Sequence, residues 1–252
     1  MDLGLRSRTA VVTGASTGIG SAIALQLAAE GVQVVAAARR TELLADLAEQ
    51  SKQYELGRVV PVYYDLYGES AAVTLANDAR DAVGPIDIVI NCAGGARRLP
   101  FDAPPSAWEE AMTVNFWRTR ELTHELVPAM RERGWGRVVN FSGSSEPPAI
   151  SGAAVAKAAI HAWSKGLSRT IASDGVTVNC IQPGRIHSEQ LSRLFPTPEA
   201  EQAEMADRHI PIGRFGEPME AANVAVFLAS ACASYVTGAV IPVDGGMRFF
   251  AF

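Results

Sequence analysis

Apolar and polar positions alternate along this chain in two rhythms. Short runs of β-branched and aliphatic residues recur at 9–13, 32–38, 58–63, 86–91, 137–141, 176–180 and 239–243. Between them lie longer stretches with helical spacing at 19–29, 42–53, 70–83, 106–133, 153–173 and 219–230. The short runs are apolar almost throughout, as strands of a parallel sheet covered on both faces must be. The pattern predicts an α/β fold: a Rossmann-type, doubly wound parallel sheet of about seven strands, with helices on both faces. No repeat or linker interrupts it, so residues 1–252 read as a single domain. The segment 195–212, richer in Pro and charge, reads as an excursion over the sheet edge. In such sheets ligands bind at the carboxyl ends of the strands.

The joint between the first strand and the first helix is Thr13-Gly14-Ala15-Ser16-Thr17-Gly18-Ile19-Gly20. Glycines let the backbone turn tightly and approach a pyrophosphate, and the helix N-terminus offers free N–H groups and a favourable dipole. A strand before and a helix after give this turn the context of a dinucleotide site.

The spacing Gly-x-x-x-Gly-x-Gly resembles that of the short-chain dehydrogenase/reductase superfamily, and further matches follow in order. They are Asp65, Asn91-Cys92-Ala93-Gly94-Gly95, Asn115 in Thr113-Val114-Asn115-Phe116, Lys157, Pro183-Gly184 and Asp244-Gly245-Gly246. The chain resembles 3-oxoacyl-[acyl-carrier-protein] reductase-like members, including atypical ones that lack the catalytic tyrosine. The resemblance implies a cofactor site built from Gly14, Ser16, Thr17, Gly18, Ile19, Gly20, Asp65, Leu66, Asn91, Ala93, Gly94, Lys157, Pro183, Gly184, Ile186 and Ser188. It also implies a homodimer or homotetramer joined through the helices at 106–133 and 153–173 and the C-terminal strand.

The second strand ends Ala36-Ala37-Ala38-Arg39-Arg40, with no acid between Glu30 and Glu42 to hold ribose hydroxyls. Arg39 and Arg40 offer guanidinium forks for a 2′-phosphate, so NADP(H) is expected ahead of NAD(H).

The family's catalytic pattern is an Asn, a Ser, and a Tyr four residues before a Lys, with the Tyr passing the proton. If Lys157 is that lysine, the tyrosine position is Ala153, and no tyrosine occurs between Tyr67 and Tyr235. Around the serine position stand Ser142 and Ser144, with Ser144 preferred. Two substitute acids are Glu146, in the same, shortened loop, if partly desolvated, and His187, three residues after Gly184, as an imidazole; otherwise they are a solvated loop carboxylate and an ordinary surface histidine. Asn115, Ser144, Ser142, Lys157, Glu146 and His187 are therefore the candidate catalytic residues. Arg97, Arg98 and Arg185 stand where a substrate carboxylate or phosphate would be received, or serve as ordinary surface charges.

Composition trims the alternatives. A net charge of −5 argues against a nucleic-acid or anionic-membrane partner. No apolar run has the ~18 residues of a membrane span, and the first residues lack a signal-peptide core. Cys92, Cys180 and Cys232 form no CxxC pair, which favours a reducing cytoplasm and small buried thiols, with no cysteine metal site. The aromatic tail 248–252 is expected to pack on a neighbouring subunit or on the cleft. Three readings stay open: an NADP(H)-dependent oxidoreductase of a ketone or secondary alcohol, a dinucleotide-binding protein without redox turnover, and a non-redox lyase or isomerase.

Overall fold

The structure is a computed structural model and describes residues 1–95, 98–143, 147, 149–194 and 199–249. Seven parallel strands run in the order β3-β2-β1-β4-β5-β6-β7. They are β1 (Thr9–Thr13), β2 (Gln33–Ala38), β3 (Arg58–Tyr63), β4 (Ile88–Asn91), β5 (Gly136–Phe141), β6 (Val176–Pro183) and β7 (Val240–Val243). The central strands are buried along almost their whole length, which is why they read as continuous apolar runs. Both edges carry a proline, Pro61 on β3 and Pro242 on β7, where a missing N–H breaks no ladder.

Helices α1 (Gly18–Ala29) and α2 (Thr41–Ser51), with α9 (Pro218–Ala229), cover one face. Helices α3 (Ala71–Val83) and α5 (Arg118–Glu132), with the end of α6 (Gly152–Ile171), cover the other. The two apolar layers are separate clusters divided by the sheet: Val12, Ile23, Leu27 and Val226 on one side, Val11, Leu75, Leu122 and Met130 on the other. The order of strands reverses between β1 and β4, and a doubly wound sheet opens its ligand crevice at that point.

Three segments differ from the sequence expectation. The helix expected over 106–133 is α4 (Pro105–Met112), a π-helical turn at Thr113–Trp117, and α5. Strand β6 runs on from Cys180 to Pro183, because Ile181, Gln182 and Pro183 continue the pairing with β7. The excursion after the cleft is helical: α7 (Glu189–Leu194) and α8 (Glu199–His209). A small core of Ala206, Ile210 and Phe215, with Leu191, Met205 and Met247, holds it down. No helix among the described residues is long and apolar enough to cross a membrane.

Candidate active site and dinucleotide cleft

At the carboxyl ends of the strands lies a cleft of about 1440 Å³. That exceeds the usual volume for one small molecule, ~300–1,000 Å³, and leaves room for a dinucleotide beside a second ligand.

Its floor begins with the turn after β1. Gly14 and Gly18 have φ of +69° and +60°, and a Cβ on Gly20 would stand 2.3 Å from the Gly14 carbonyl oxygen. No other residue fits that approach. Thr17 caps α1 in an extended conformation without a side-chain hydrogen bond to the helix. The first N–H groups of α1 therefore remain available to an anion. The Thr13 hydroxyl oxygen accepts from the Cys92 and Ala93 amides, both at 3.1 Å, fastening the end of β4 to this turn.

The two arginines after β2 part company. Arg40 donates to the Glu189 carboxylate at 2.8 and 3.1 Å and to the Thr17 hydroxyl at 3.0 Å. Arg39 is exposed on the cleft wall and makes no ion pair among the described residues. Asp65 and Leu66 line the wall beyond β3, where Asp65 accepts from the Tyr67 amide at 3.2 Å.

Asn115 sits in the π-helical turn. Its Nδ2 donates to the Ala111 and Gly95 carbonyls, and its Oδ1 accepts from the Gly95 amide, each at 3.0 Å. A Cβ on Gly94 would be 2.8 Å from Asn115 Oδ1 and 3.2 Å from Lys157 Nζ, so glycine there lets these two polar groups face one another. Lys157 Nζ donates to the Phe141 carbonyl at the end of β5, at 2.6 Å. Burial holds its pKa below the ordinary lysine range, with Cys92 and Cys180 acting in the opposite direction. Burial likewise pushes the Cys92 thiol up to about 12, so it stays neutral.

One turn before Lys157, Ala153 opens α6 and lines the cleft, with Ser151 capping the helix by accepting from the Ala154 amide at 3.2 Å. Ser142 also lines the cleft, and its hydroxyl donates to the Ile181 carbonyl at 3.1 Å. Pro183, Gly184, Ile186 and Ser188 form the wall after β6.

Two expected residues lie elsewhere. Asn91 is 3 % exposed and is not part of the cleft wall. Its Nδ2 donates to the Thr123 hydroxyl at 3.0 Å and to Asn140 Oδ1 at 2.8 Å, so it braces the strand ends beneath the site. His187 is not on the cleft wall either: it packs against Phe215, 3.8 Å from the Glu217 carboxylate. Ser144, Glu146 and Arg97 lie outside the described residues, as do Phe250, Ala251 and Phe252. Among the described residues no group of three His, Cys, Asp or Glu is placed to hold a metal ion.

Sequence reasoning missed four contributors. Tyr64 and Tyr67 reach the wall past β3, and Tyr67 donates to Glu110 at 2.9 Å. Arg248, by contrast, belongs to the tail expected on a neighbouring subunit or on the cleft; it lines the cleft through a turn anchored on Asp244, and Phe249 lines it too. Residues 207–211, at the end of α8, close one side. Ser151 was missed too, although a serine just before a helical run is a cap signal.

Residues 14–248 match the family described as enoyl-(acyl carrier protein) reductase. An acetoacetyl-CoA reductase of Rhizobium meliloti is 37 % identical over 248 residues, covering 96 % of this chain and 99 % of that protein. A rhamnolipids biosynthesis 3-oxoacyl-[acyl-carrier-protein] reductase of Pseudomonas aeruginosa is 34 % identical, with 97 % of each chain covered. Among solved structures, L-sorbose reductase from Gluconobacter frateurii, complexed with NADPH and L-sorbose, superposes with a TM-score of 0.92 at 32 % identity, covering 99 % of this chain and 100 % of that one. A 7α-hydroxysteroid dehydrogenase complexed with NADH and a 7-oxo bile acid gives 0.90 at 30 % identity, covering 97 % and 96 %.

Proposed function

The chain belongs to the short-chain dehydrogenase/reductase family, and on that premise we propose that it is an NADP(H)-dependent oxidoreductase of ketones and secondary alcohols whose proton path runs without a tyrosine. The observation that carries this reading is the facing pair Asn115 and Lys157 across Gly94, in a cleft that begins at a phosphate-binding turn.

When bound, the cofactor supplies or accepts the hydride. The turn from Gly14 to Gly20, with Ser16 and Thr17, would hold the pyrophosphate on backbone N–H groups. Arg39 would receive the 2′-phosphate, while Arg40, held by Glu189, keeps the turn in shape. Of the residues that line the cleft, Asp65 and Leu66 would border the adenine, and Ala93, Gly94, Pro183, Gly184, Ile186 and Ser188 the other end. An ammonium has three donors, so Lys157 keeps two for ribose and water after bonding to Phe141. The Ser142 hydroxyl has one proton, directed at Ile181, and does not polarise a carbonyl in that rotamer.

The cleft wall at Ala153, one turn before Lys157, suits an ordered water, which would pass a proton to the carbonyl oxygen and be reprotonated from solvent through the open cleft. The tyrosine after β3 is badly placed to substitute. Lys157 reaches the end of β5, and Tyr64 follows β3, four strand spacings away, roughly 19 Å at ~4.8 Å each. The test is Ala153→Tyr. General acid catalysis contributes ~10²–10⁴-fold, so the restored phenol should raise ketone-dependent NADPH oxidation at least about tenfold. If cofactor binds but neither protein turns over any ketone or alcohol, the second reading takes its place. That reading, dinucleotide binding without redox turnover, is favoured by the alanine itself. The exposed Trp117 and Val155, on the π-helical turn before α5 and on α6, further suggest a homo-oligomer, which a monomeric mass in solution would refute.

A further inference from the structure

The arginine that follows Arg39 is engaged from two sides. One arm of the Arg40 guanidinium donates to the Thr17 hydroxyl at 3.0 Å and to the Ser16 hydroxyl at 3.4 Å, both on the phosphate turn. The other arm meets both oxygens of the Glu189 carboxylate, at 2.8 and 3.1 Å. Glu189 arrives from the wall after β6 on a backbone that is tied down. Ser188, just before it, lies against the turn: a Cβ on Gly18 would stand 3.5 Å from the Ser188 Cβ. The Ser188 hydroxyl caps α7 by accepting from the Leu191 amide at 3.1 Å. A parallel bridge between Ile186 and Gly216 fixes the chain three residues earlier. It is closed by the His187 amide on the Gly216 carbonyl at 2.8 Å and the Gly216 amide on the Arg185 carbonyl at 2.9 Å.

This arrangement divides the two arginines. Arg39 is exposed on the cleft wall without an ion pair among the described residues, whereas Arg40 lines the same wall with its charge committed to Glu189. Two guanidinium forks grip a phosphate better than one, and a carboxylate beside them repels it. The size of the effect follows from exposure. The side chains of the pair are 38 % and 45 % exposed, and an ion pair so placed is worth up to about a fivefold change in an equilibrium. A phosphate beside Arg39 either draws Arg40 off Glu189 at that cost or forgoes the second fork. Removing the Glu189 charge lifts the penalty in both cases.

We propose that Glu189 is a specificity-determining residue: it withholds Arg40 from the 2′-phosphate and so holds the preference for NADP(H) over NAD(H) below what two arginines would give. The inference rests on reading the cleft as an NADP(H) site and does not depend on turnover. NADPH and NADH are titrated separately against the whole protein by fluorescence. Glu189→Gln should tighten NADPH about fivefold and leave NADH within about twofold, a selective gain that a loosened fold does not produce. Adding Arg40→Gln to Glu189→Gln should take the gain away, because the phosphate then meets Arg39 alone. Unchanged or weakened NADPH binding in Glu189→Gln, an equal change for both dinucleotides, or a gain that survives the loss of Arg40 overturns the inference. The NADP(H) reading fails on a different result. If the unaltered protein binds NADH at least as tightly as NADPH, while Glu189→Gln still shifts the ratio toward NADPH, that reading falls and the role of Glu189 stands. If neither dinucleotide binds, both fall.

Discussion

Asn91, at the end of β4, illustrates how residue and role come apart. Its motif marks a cofactor segment, and its neighbours Ala93 and Gly94 do line the cleft. Its own amide joins Thr123 on α5 to Asn140 on β5, and Asn140 continues to Ser164 on α6 at 2.9 Å. Asn91→Ala should therefore lower stability by about 1–3 kcal/mol, because Asn140 Oδ1 loses its buried donor. Urea unfolding checks the magnitude. His161 gives a second expectation. Its folded pKa is depressed, so below about 6.5 the unfolded chain binds a proton that the folded one refuses. Stability should thus fall with acidification from pH 6.5 until the lower, folded pKa is passed, and His161→Gln should flatten that slope in melting curves. At this scale the chain's sequence announced residue types and missed destinations: nothing in the neighbours of His187 shows that it turns toward Glu217 and Phe215.

Among the elements, the strands were legible because burial on both faces leaves an unbroken apolar signature. β1 and β3 have the bounds expected from that signature. The π-helical turn was not legible in the apolar spacing, and only the likeness of Asn115 to the family's helix-kinking asparagine pointed to it. Its residues have ordinary helical spacing, and the extra residue per turn appears only once Asn115 bridges Ala111 and Gly95. Asn115→Leu removes three hydrogen bonds and should let 113–117 relax toward regular helix. Turnover is expected to fall at least about tenfold while NADPH affinity changes less, since the turn lies away from the pyrophosphate site. Kinetics and cofactor titration on the same preparation check that split. The helix α8 escaped notice for a different reason: prolines on both sides suggested irregular chain, yet Ala206 and Ile210 share one face and find Phe215.

For the molecule as a whole, the doubly wound parallel sheet and a cleft at its carboxyl ends follow from the alternation of elements, whereas the strand order, with its reversal between β1 and β4, comes from the structure. That Arg98, Arg185 and Arg248 line one cleft from segments about 90 and 60 residues apart is a property of the closed fold alone. The cleft also makes a thermodynamic expectation. A ligand at a hundredfold excess over its Kd stabilises the folded state by about 2.7 kcal/mol. For a chain of this length that raises Tm by roughly 5–10 °C. NADPH should give this shift and NADH a smaller one at equal concentration, with Arg39→Asp abolishing the difference; equal shifts in the unaltered protein would contradict the role given to Arg39.

The pairing of α1 with α9 reaches into the timing of biosynthesis. The helix behind the phosphate turn packs along a helix nearly 200 residues later, and Gln26 Nε2 meets Asn223 Oδ1 at 2.7 Å. While the chain emerges from the ribosome, α1 waits with its apolar face uncovered until 218–229 has left the exit tunnel. At a synthesis rate of ~5–20 residues per second that wait lasts roughly 10–40 s. A nascent chain stalled before Pro218 should accordingly bind chaperones and fail to retain NADPH, although every residue of the phosphate turn is already made.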